Sequence, residues 1–354
     1  MSLPTEPIGS VPRPDYLLAG QREFAEGKID AAELRRLREI ALAETMDRFA
    51  HTGSPVVTDG EQAKPSFVSY PLEGMSALAP DGVVVPFADG HVRQLPRLTA
   101  GPFRYQVYAE EYLSHAKEYT RSPVKQAVIA PSALSLIYPT DGIAGYSGEE
   151  FLTDLVNESE TDIRRCLDAG AHRVQLDFTE GRLSLKLDPS GGLLRSLVEL
   201  NNRVLDRFSD DERQRIGVHT CPGGDQDSTH SLDVDYAELL PVLFELNAGN
   251  FYLQLASESD RRRSLEAVRK NARDGQRIFV GVTDPVDPRV ETAAEVRDRV
   301  LEAAEYLSPD RLGTCDDCGF APFADDASTS RDIAFAKIRA RIVGTDMASA
   351  ELGV

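Results

Sequence analysis

The sequence predicts an α/β protein, a (β/α)8 TIM barrel with an inserted hairpin after the second strand. Short segments rich in β-branched residues alternate with segments of helical periodicity along a chain of 354 residues. This alternation, in a chain of this length, favours one large barrel over two smaller domains. A doubly wound sheet is the alternative, but no G-x-G-x-x-G motif follows the first strand. We therefore interpret residues 1–354 as a single domain.

The predicted elements follow in order. The strands are expected at residues 6–11, 55–61, 124–131, 172–178, 215–221, 250–256, 277–284 and 311–319. The helices are expected at 30–50, 105–119, 148–168, 192–208, 234–246, 260–273, 292–306 and 330–343. Asp30 with Glu33, and Ser147 with Glu150, have the spacing of helix capping boxes. Residues 344–354 are expected to form a short frayed tail.

The stretch between the second and third strands is longer than one helix requires. It contains "GVVVPFADGHVRQL", which has the pattern of two short strands turning at Asp89-Gly90. We therefore predict a hairpin inserted at about residues 80–98.

Composition excludes several functional classes. The net charge of −19 argues against binding to nucleic acid or to an anionic membrane surface. No apolar run reaches the ~18 residues that a membrane span needs, and the N-terminus has no apolar signal segment. The four cysteines are too few for a disulfide framework. We expect a cytoplasmic protein.

Polar residues that could bind a ligand stand at nearly every predicted strand end. Catalytic groups of a TIM barrel lie at the carboxyl ends of its strands. Core packing does not readily explain so many polar residues in these positions. They are Ser10, Glu61, Pro131-Ser132, Asp177, His219 with Cys221, Gln254, Asp284 and Cys318.

His219 and Cys221 alternate along one strand, so their side chains should point to the same side. Cys318 arrives from the last strand. One imidazole and two thiolates suit Zn²⁺, and an open fourth position would make the site catalytic. The alternatives are ordinary buried residues, as expected for Cys166 on a helix, or a redox pair formed by Cys315 and Cys318.

Six short motifs together resemble a known family. The chain resembles the catalytic barrel of cobalamin-independent methionine synthase, within the broader group of zinc-dependent thiol alkyltransferases, and the resemblance covers most of its length. The motifs are "IGS" (8–10), "DGE" (59–61), "QLD" (175–177), "HTC" (219–221), "GVTDPVDPR" (281–289) and "DCG" (317–319).

The resemblance implies roles for individual residues. His219, Cys221 and Cys318 match zinc ligands. Glu61 and Asp177 match carboxylates that hold the amino group of homocysteine. Ser10, with the backbone from Ile8 to Ser10, matches the part that receives its carboxylate. Bound zinc would convert the substrate thiol to a thiolate, which is the nucleophilic form.

The chain also departs from the family pattern. Gln254 stands where the family has a glutamate ligand; we expect weak ligation through its carbonyl oxygen, with Glu258 and Cys315 as alternative ligands. Val286 replaces a histidine that is thought to supply a proton, and Asp284 and Asp287 are the candidates for part of that catalytic role. The sequence contains no Trp to stack on a pterin, and only one barrel.

These features lead to a functional hypothesis with open alternatives. We expect a zinc-dependent methyltransferase that converts homocysteine to methionine. The departures weaken the case for 5-methyltetrahydrofolate as methyl donor, so its donor need not be this folate, and a methyl-corrinoid such as methylcobalamin is the candidate in its place. A corrinoid protein is a candidate partner. The alternatives are alkyl transfer or elimination on another thiol, as in epoxide:thiol transferases, and a barrel that binds metal or corrinoid without catalysing alkyl transfer. A decarboxylase-like activity belongs with the last alternative.

Overall fold

The computed structural model describes residues 2–354. The strands are β1 (Leu78–Ala79), β2 (Val84–Pro86), β3 (Val92–Gln94), β4 (Arg97–Leu98), β5 (Gln126–Ile129), β6 (Val174–Asp177), β7 (Ile216–Thr220), β8 (Gly224–Asp225), β9 (Ser228–Thr229), β10 (Asn250–Leu253), β11 (Arg277–Gly281) and β12 (Leu312–Cys315). The helices are α1 (Asp15–Ala25), α2 (Ala31–Thr52), α3 (Glu110–Tyr119), α4 (Pro131–Ser135), α5 (Gly148–Asp168), α6 (Glu180–Leu187), α7 (Gly192–Leu205), α8 (Asp210–Arg213), α9 (Tyr236–Leu243), α10 (Arg261–Asn271), α11 (Ala293–Ala304) and α12 (Arg331–Leu352).

The centre of the molecule is a parallel sheet with the strand order β12-β11-β10-β7-β6-β5. Consecutive strands of this sheet are joined through helices, as parallel pairing requires. All four residues of β5, β6, β10 and β12 are buried, because helices cover the sheet. The fold is therefore α/β and TIM-barrel-like, while complete closure of eight strands stays a prediction.

The first two predicted strands are reduced to single bridges. Thr5 pairs in parallel with Thr314, and Val57 with Val124. Residues 6–11 are irregular because the prolines around them cannot donate to a strand ladder. The segment 55–61 turns away at Gly60 and Glu61, whose φ angles are 62° and 55°. The two segments are joined by a hydrogen bond from the Thr58 hydroxyl to the Gly9 carbonyl at 2.6 Å.

Two aromatic rings pack inside the sheet. Tyr252 and Phe279 stack with their ring centroids 4.6 Å apart. Gly217 and Gly313 make room for them, since a Cβ at either glycine would lie 2.6 Å from the nearer of these rings. Neighbouring strands thus place a glycine beside each ring.

The N-terminal caps of α2 and α5 form at the residues that the sequence predicted. The side chain of Asp30 accepts a hydrogen bond from the Glu33 amide, and Ser147 and Glu150 form a complete capping box. The tail prediction is wrong, because α12 continues to Leu352. Small residues in its last turns pack against neighbours: Thr345 and Thr314 share a hydroxyl hydrogen bond of 2.8 Å, and the Ser349 hydroxyl accepts from the Leu3 amide.

Residues 78–98 hold two antiparallel pairings, β1 with β4 and β2 with β3, and the chain turns at Gly90 with φ 96°. Arg93 anchors this segment by hydrogen bonds to Asp225 and Asp325. The β2–β3 hairpin thereby lies against the loops that follow β7 and β12. Within residues 2–354, no helix is both long and apolar enough to cross a membrane.

Candidate active site

Three side chains from two distant parts of the chain converge at the carboxyl end of the sheet. His219 belongs to β7, Cys221 follows directly after it, and Cys318 lies three residues beyond β12. One nitrogen or sulfur atom from each lies within 4.8 Å of the others, and the two sulfur atoms are 3.0 Å apart. The predicted ligands His219, Cys221 and Cys318 are therefore brought together.

The chemistry of this group fits a metal cation. The Nδ1 atom of His219 lies 3.2 Å from the Tyr252 carbonyl oxygen, which orients the ring as metal-binding histidines are usually oriented. Its Nε2 atom is buried and has no hydrogen-bond partner among the described residues. A hydrogen bond from the Cys221 thiol lowers the pKa of Cys318 well below its usual value, and the same contact raises the pKa of Cys221. A thiolate beside a free imidazole nitrogen matches the ligands that Zn²⁺ prefers.

The structure gives Gln254 other hydrogen bonds. Its carbonyl oxygen accepts from Arg182 at 3.0 Å, and its amide nitrogen donates to the Ser257 hydroxyl at 2.6 Å. Ligation by Gln254 would have to use the second lone pair of this carbonyl oxygen, and it stays a prediction. The two alternative ligands lie outside the group, since Glu258 pairs with Arg182 at 2.6 Å and the Cys315 thiol donates to the Phe279 carbonyl.

Arg182 is a buried residue that the sequence reasoning missed. Its guanidinium also donates to the carbonyl oxygens of Leu232 and Val234, and it lies 5.1 Å from the centre of the Tyr236 ring. These contacts hold the arginine in place, and the arginine in turn holds Gln254. No motif in the sequence points to it, because the helix α6 that carries it was not predicted.

A cavity of about 530 Å³ opens beside the candidate metal ligands. This volume is in the range of small-molecule sites. Its walls include six of the predicted site residues, namely Ile8, Ser10, Glu61, Asp177, His219 and Cys318. Its apolar side includes Phe67, Phe87, Leu136, Leu183 and Phe323, of which Phe87 belongs to the hairpin segment that reaches over the sheet.

Two other predicted residues lie in a smaller neighbouring cavity of about 240 Å³. Asp284 and Gln254 line it, and Cys318 belongs to the walls of both cavities. Asp284 accepts a hydrogen bond from the Val286 amide, and burial raises its pKa. Asp287 lies outside both cavities, where its carboxylate accepts a hydrogen bond from the Arg289 amide. The two proposed catalytic carboxylates are thus separated from the larger cavity.

The two carboxyl groups predicted to bind an amino group are both buried in the larger cavity. Burial raises the pKa of Glu61 to about 7, although Lys64 at 3.3 Å opposes this shift. Its Oε2 atom has no hydrogen-bond partner in the described part of the chain. Burial also raises the pKa of Asp177, whose Oδ1 accepts from Gln175 at 2.7 Å. A cationic ligand would stabilise the charged form of both groups.

One buried network supports both halves of the site. The Lys125 ammonium donates to the Gln175 carbonyl oxygen at 2.6 Å, and Gln175 donates to Asp177. Lys125 also lies 3.8 Å from the centre of the Tyr252 ring, and the Tyr252 carbonyl contacts His219. Burial lowers the pKa of Lys125 to about 7. Changes at Lys125 should therefore affect the carboxylate and the imidazole together.

Ser10, which was predicted to receive the substrate carboxylate, lines the larger cavity. Its hydroxyl accepts a hydrogen bond from the Ala321 amide at 3.2 Å. A Cβ at position 319 would lie 2.3 Å from that hydroxyl oxygen, so Gly319 allows the loop after Cys318 to approach the segment from Ile8 to Ser10. The first segment of the chain and the last metal-ligand loop thus form one wall of the cavity.

Glu180 is a cavity residue that sequence reasoning missed. It begins α6, and its carboxyl group accepts a hydrogen bond from the Ser132 hydroxyl. Burial raises its pKa to about 7. The sequence offered a weak signal, since Glu180 comes three residues after Asp177 at a predicted strand end.

The fold and the site define an α/β protein with a candidate histidine–cysteine metal centre at the carboxyl end of a parallel sheet. The family model described as "Cobalamin-independent synthase, Catalytic domain" matches residues 3–331. The chain therefore belongs to the family of cobalamin-independent synthase catalytic domains, and the predicted resemblance is confirmed.

Relatives named methionine synthase match over nearly their whole lengths. A methionine synthase of Saccharolobus solfataricus is 25% identical over 361 residues, covering 99% of this chain and 96% of that protein. A methionine synthase of Sulfurisphaera tokodaii is 23% identical over 351 residues, covering 99% and 94%. The structure of a B12-independent methionine synthase from Shewanella sp. W3-18-1, solved with selenomethionine, has a TM-score of 0.78 and 21% identity, and the match covers 99% of both chains. This last similarity supports the fold.

Proposed function

We propose that this protein transfers a methyl group to the thiol of homocysteine, forming methionine. The observation that carries the proposal is that one cavity is lined both by two of the three candidate metal ligands and by two buried carboxyl groups. A zwitterionic amino acid with a thiol side chain requires both features. The methionine synthases among the relatives support the same activity.

The metal proposed for this site is Zn²⁺, held by His219, Cys221 and Cys318. When bound, zinc supplies a Lewis acid that lowers the pKa of a thiol, so that the thiolate predominates at neutral pH. Three protein ligands leave a position for the substrate, as in catalytic zinc sites. The hydrogen bond between His219 and the Tyr252 carbonyl keeps the other ring nitrogen available for the ion.

The protein's own residues orient the amino acid. Glu61 and Asp177 would accept hydrogen bonds from its ammonium group, which is why their burial is tolerable. Ser10 and the backbone from Ile8 to Ser10 would contact its carboxylate. Fixing both ends of a short amino acid places its sulfur reproducibly and lowers the entropic cost of reaction. A sulfonate-bearing thiol fits less well, because both carboxylates would repel it.

The methyl donor we propose is 5-methyltetrahydrofolate, with methylcobalamin as the second candidate. The aromatic side chains of Phe67, Phe87 and Phe323 line the cavity and offer apolar surface for a flat ring system. Because the sequence contains no Trp, these phenylalanines would have to provide the stacking surface. The donor is therefore expected to bind between the β2–β3 hairpin and the homocysteine site.

Methionine formation tests the proposal directly. The zinc-loaded protein would be incubated with homocysteine and either donor carrying a deuterated methyl group, and labelled methionine measured by mass spectrometry. Asp177→Asn should weaken homocysteine binding at least about tenfold, since a charge-assisted hydrogen bond contributes on the order of 1.5–3 kcal/mol, while the zinc content stays unchanged. No labelled methionine with either donor, or unchanged homocysteine affinity in Asp177→Asn, would contradict the proposed function.

A further inference from the structure

Glu180 occupies an unusual position for a carboxyl group. It lines the larger cavity together with Asp177, His219 and Cys318, yet its side chain is 6% exposed. Its Oε1 atom accepts a hydrogen bond from Ser132, and its Oε2 atom has no partner among residues 2–354. One oxygen is therefore fixed, and the other is buried at the cavity wall without the hydrogen bond that a ligand could supply.

The surroundings of Glu180 favour its protonated form. Burial raises its pKa to about 7, and the nearby carboxyl of Asp177 adds to the effect, while the Ser132 hydroxyl opposes it. Ser132 is itself held by a hydrogen bond from its amide to the Asn201 side chain at 3.2 Å. At neutral pH this carboxyl holds a proton in a substantial fraction of molecules, close to the site where the donor is proposed to bind.

The proposed reaction needs such a proton. An amine nitrogen that carries a methyl group is a poor leaving group until the nitrogen is protonated. Of the other carboxyls of the larger cavity, Glu61 and Asp177 are assigned to the ammonium group of homocysteine, and Asp325 is held in an ion pair by Arg93. Asp284 lines the smaller cavity and Asp287 lies outside both cavities, so neither carboxyl lines the cavity in which the donor is proposed to bind.

We propose that Glu180 donates the proton to the nitrogen that leaves during methyl transfer. This inference rests on the proposed function and adds a catalytic residue to it. The thiolate sulfur attacks the methyl carbon, and a carbon–sulfur bond forms as the carbon–nitrogen bond breaks. The electron pair of the broken bond stays on nitrogen, which takes the proton of the Glu180 carboxyl. The products are the thioether, the secondary amine and the Glu180 carboxylate.

Two donors with different proton requirements provide the test. Transfer from 5-methyltetrahydrofolate needs protonation of the leaving nitrogen, whereas transfer from methylcobalamin breaks a cobalt–carbon bond and does not. Single-turnover rates would be measured with both donors for wild type, Glu180→Gln and Glu180→Asp. Glu158→Gln is the matched control, because Glu158 is also buried and hydrogen-bonded but lies outside the cavity, beside Tyr105 and Tyr108.

The expected result is selective. Glu180→Gln should slow transfer from the folate donor by about 100-fold or more, the typical contribution of general acid catalysis, and leave the methylcobalamin rate, the zinc content and the homocysteine affinity near wild type. Glu180→Asp should restore part of the folate rate. The wild-type folate rate should fall as the pH rises above about 7, and Glu180→Gln should lose this dependence.

Several outcomes would overturn the inference. Equal losses with both donors would assign Glu180 a structural role, and an unchanged folate rate in Glu180→Gln would exclude it as the proton donor. A wild-type protein that uses methylcobalamin alone would leave the methyl-transfer function intact but remove the need for this proton.

If wild type uses the folate alone, loss of both rate and pH dependence in Glu180→Gln, with Glu158→Gln unaffected, supports the role of Glu180 as proton donor. No turnover with either donor contradicts the proposed function itself.

Discussion

The sulfur atoms of Cys221 and Cys318 lie 3.0 Å apart, although 97 positions separate the two residues in the chain. They meet because β7 and β12 end at the same edge of the sheet, with β10 and β11 between them. Two thiols at this distance stabilise one thiolate by a shared hydrogen bond, and both can contact a single ion. The pair therefore supplies two of the three candidate metal ligands.

We expect purified wild-type protein to contain about one zinc ion per chain, because one histidine and two cysteines supply the three protein ligands of a catalytic zinc site. Cys221→Ser should lose most of it, because a hydroxyl is a poor substitute for a thiolate. Metal content by plasma mass spectrometry, without added zinc, measures this directly. Cys166→Ala is the control, since Cys166 is buried on α5 away from the ligand group. Full zinc content in folded Cys221→Ser would refute the assignment.

Gln254→Ala should keep its zinc, because Arg182 and Ser257 already occupy both ends of the Gln254 amide. The substitution should nevertheless lower the free energy of unfolding by about 1–3 kcal/mol, since it leaves a buried guanidinium N–H without its partner. Metal analysis and urea unfolding on the same preparation separate the two effects. A folded Gln254→Ala protein without zinc would instead identify Gln254 as a ligand.

Glu180 should make stability depend on pH in a defined direction. Its pKa is about 7 in the folded protein against a usual value of 4.5. Between these values the folded state binds more protons than the unfolded state, so the contribution of Glu180 to stability falls as the pH rises. Glu180→Gln lacks this titration. Its free energy of unfolding should therefore exceed that of wild type by an amount that grows between pH 4.5 and 7, up to about 3 kcal/mol. Urea unfolding at several pH values measures the difference, with exposed Glu149→Gln as control. Parallel curves for wild type and Glu180→Gln would show that burial does not shift the group.

Arg93→Ala should release the β2–β3 hairpin from the mouth of the cavity. The Arg93 guanidinium makes two hydrogen bonds to Asp225, whose side chain is fully buried, and one to Asp325. The substitution should cost about 1–3 kcal/mol, because the buried Asp225 carboxylate loses two charge-assisted hydrogen bonds and keeps only the His91 imidazole, at 3.1 Å. Amide hydrogen exchange of residues 84–94 should accelerate. Arg97→Ala, which removes a more exposed pair with Asp81, should change little; similar exchange in both variants would contradict the anchoring role.

Much of the fold was predictable because its signals are local. The strands near residues 126, 174, 216, 250, 277 and 312 fall within the predicted segments. Runs of β-branched residues between turns mark a buried strand wherever it lies in the sheet. The helix caps at Asp30 and Ser147 likewise depend only on residues that are close together in the sequence. The extension of α12 was not predicted, because its last turns are stabilised by Thr314 and Leu3, which are distant in sequence.

The sequence by itself determined the class of fold, the family and six residues of the larger cavity, because strand ends and short motifs are read from neighbouring residues. Only the tertiary structure decided which polar side chains meet. It paired Gln254 with Arg182, placed Glu180 in the cavity and left Asp287 outside. These outcomes depend on how α6 and the loops pack over the sheet edge. Packing of this kind is set by contacts between distant segments, and no local pattern encodes it.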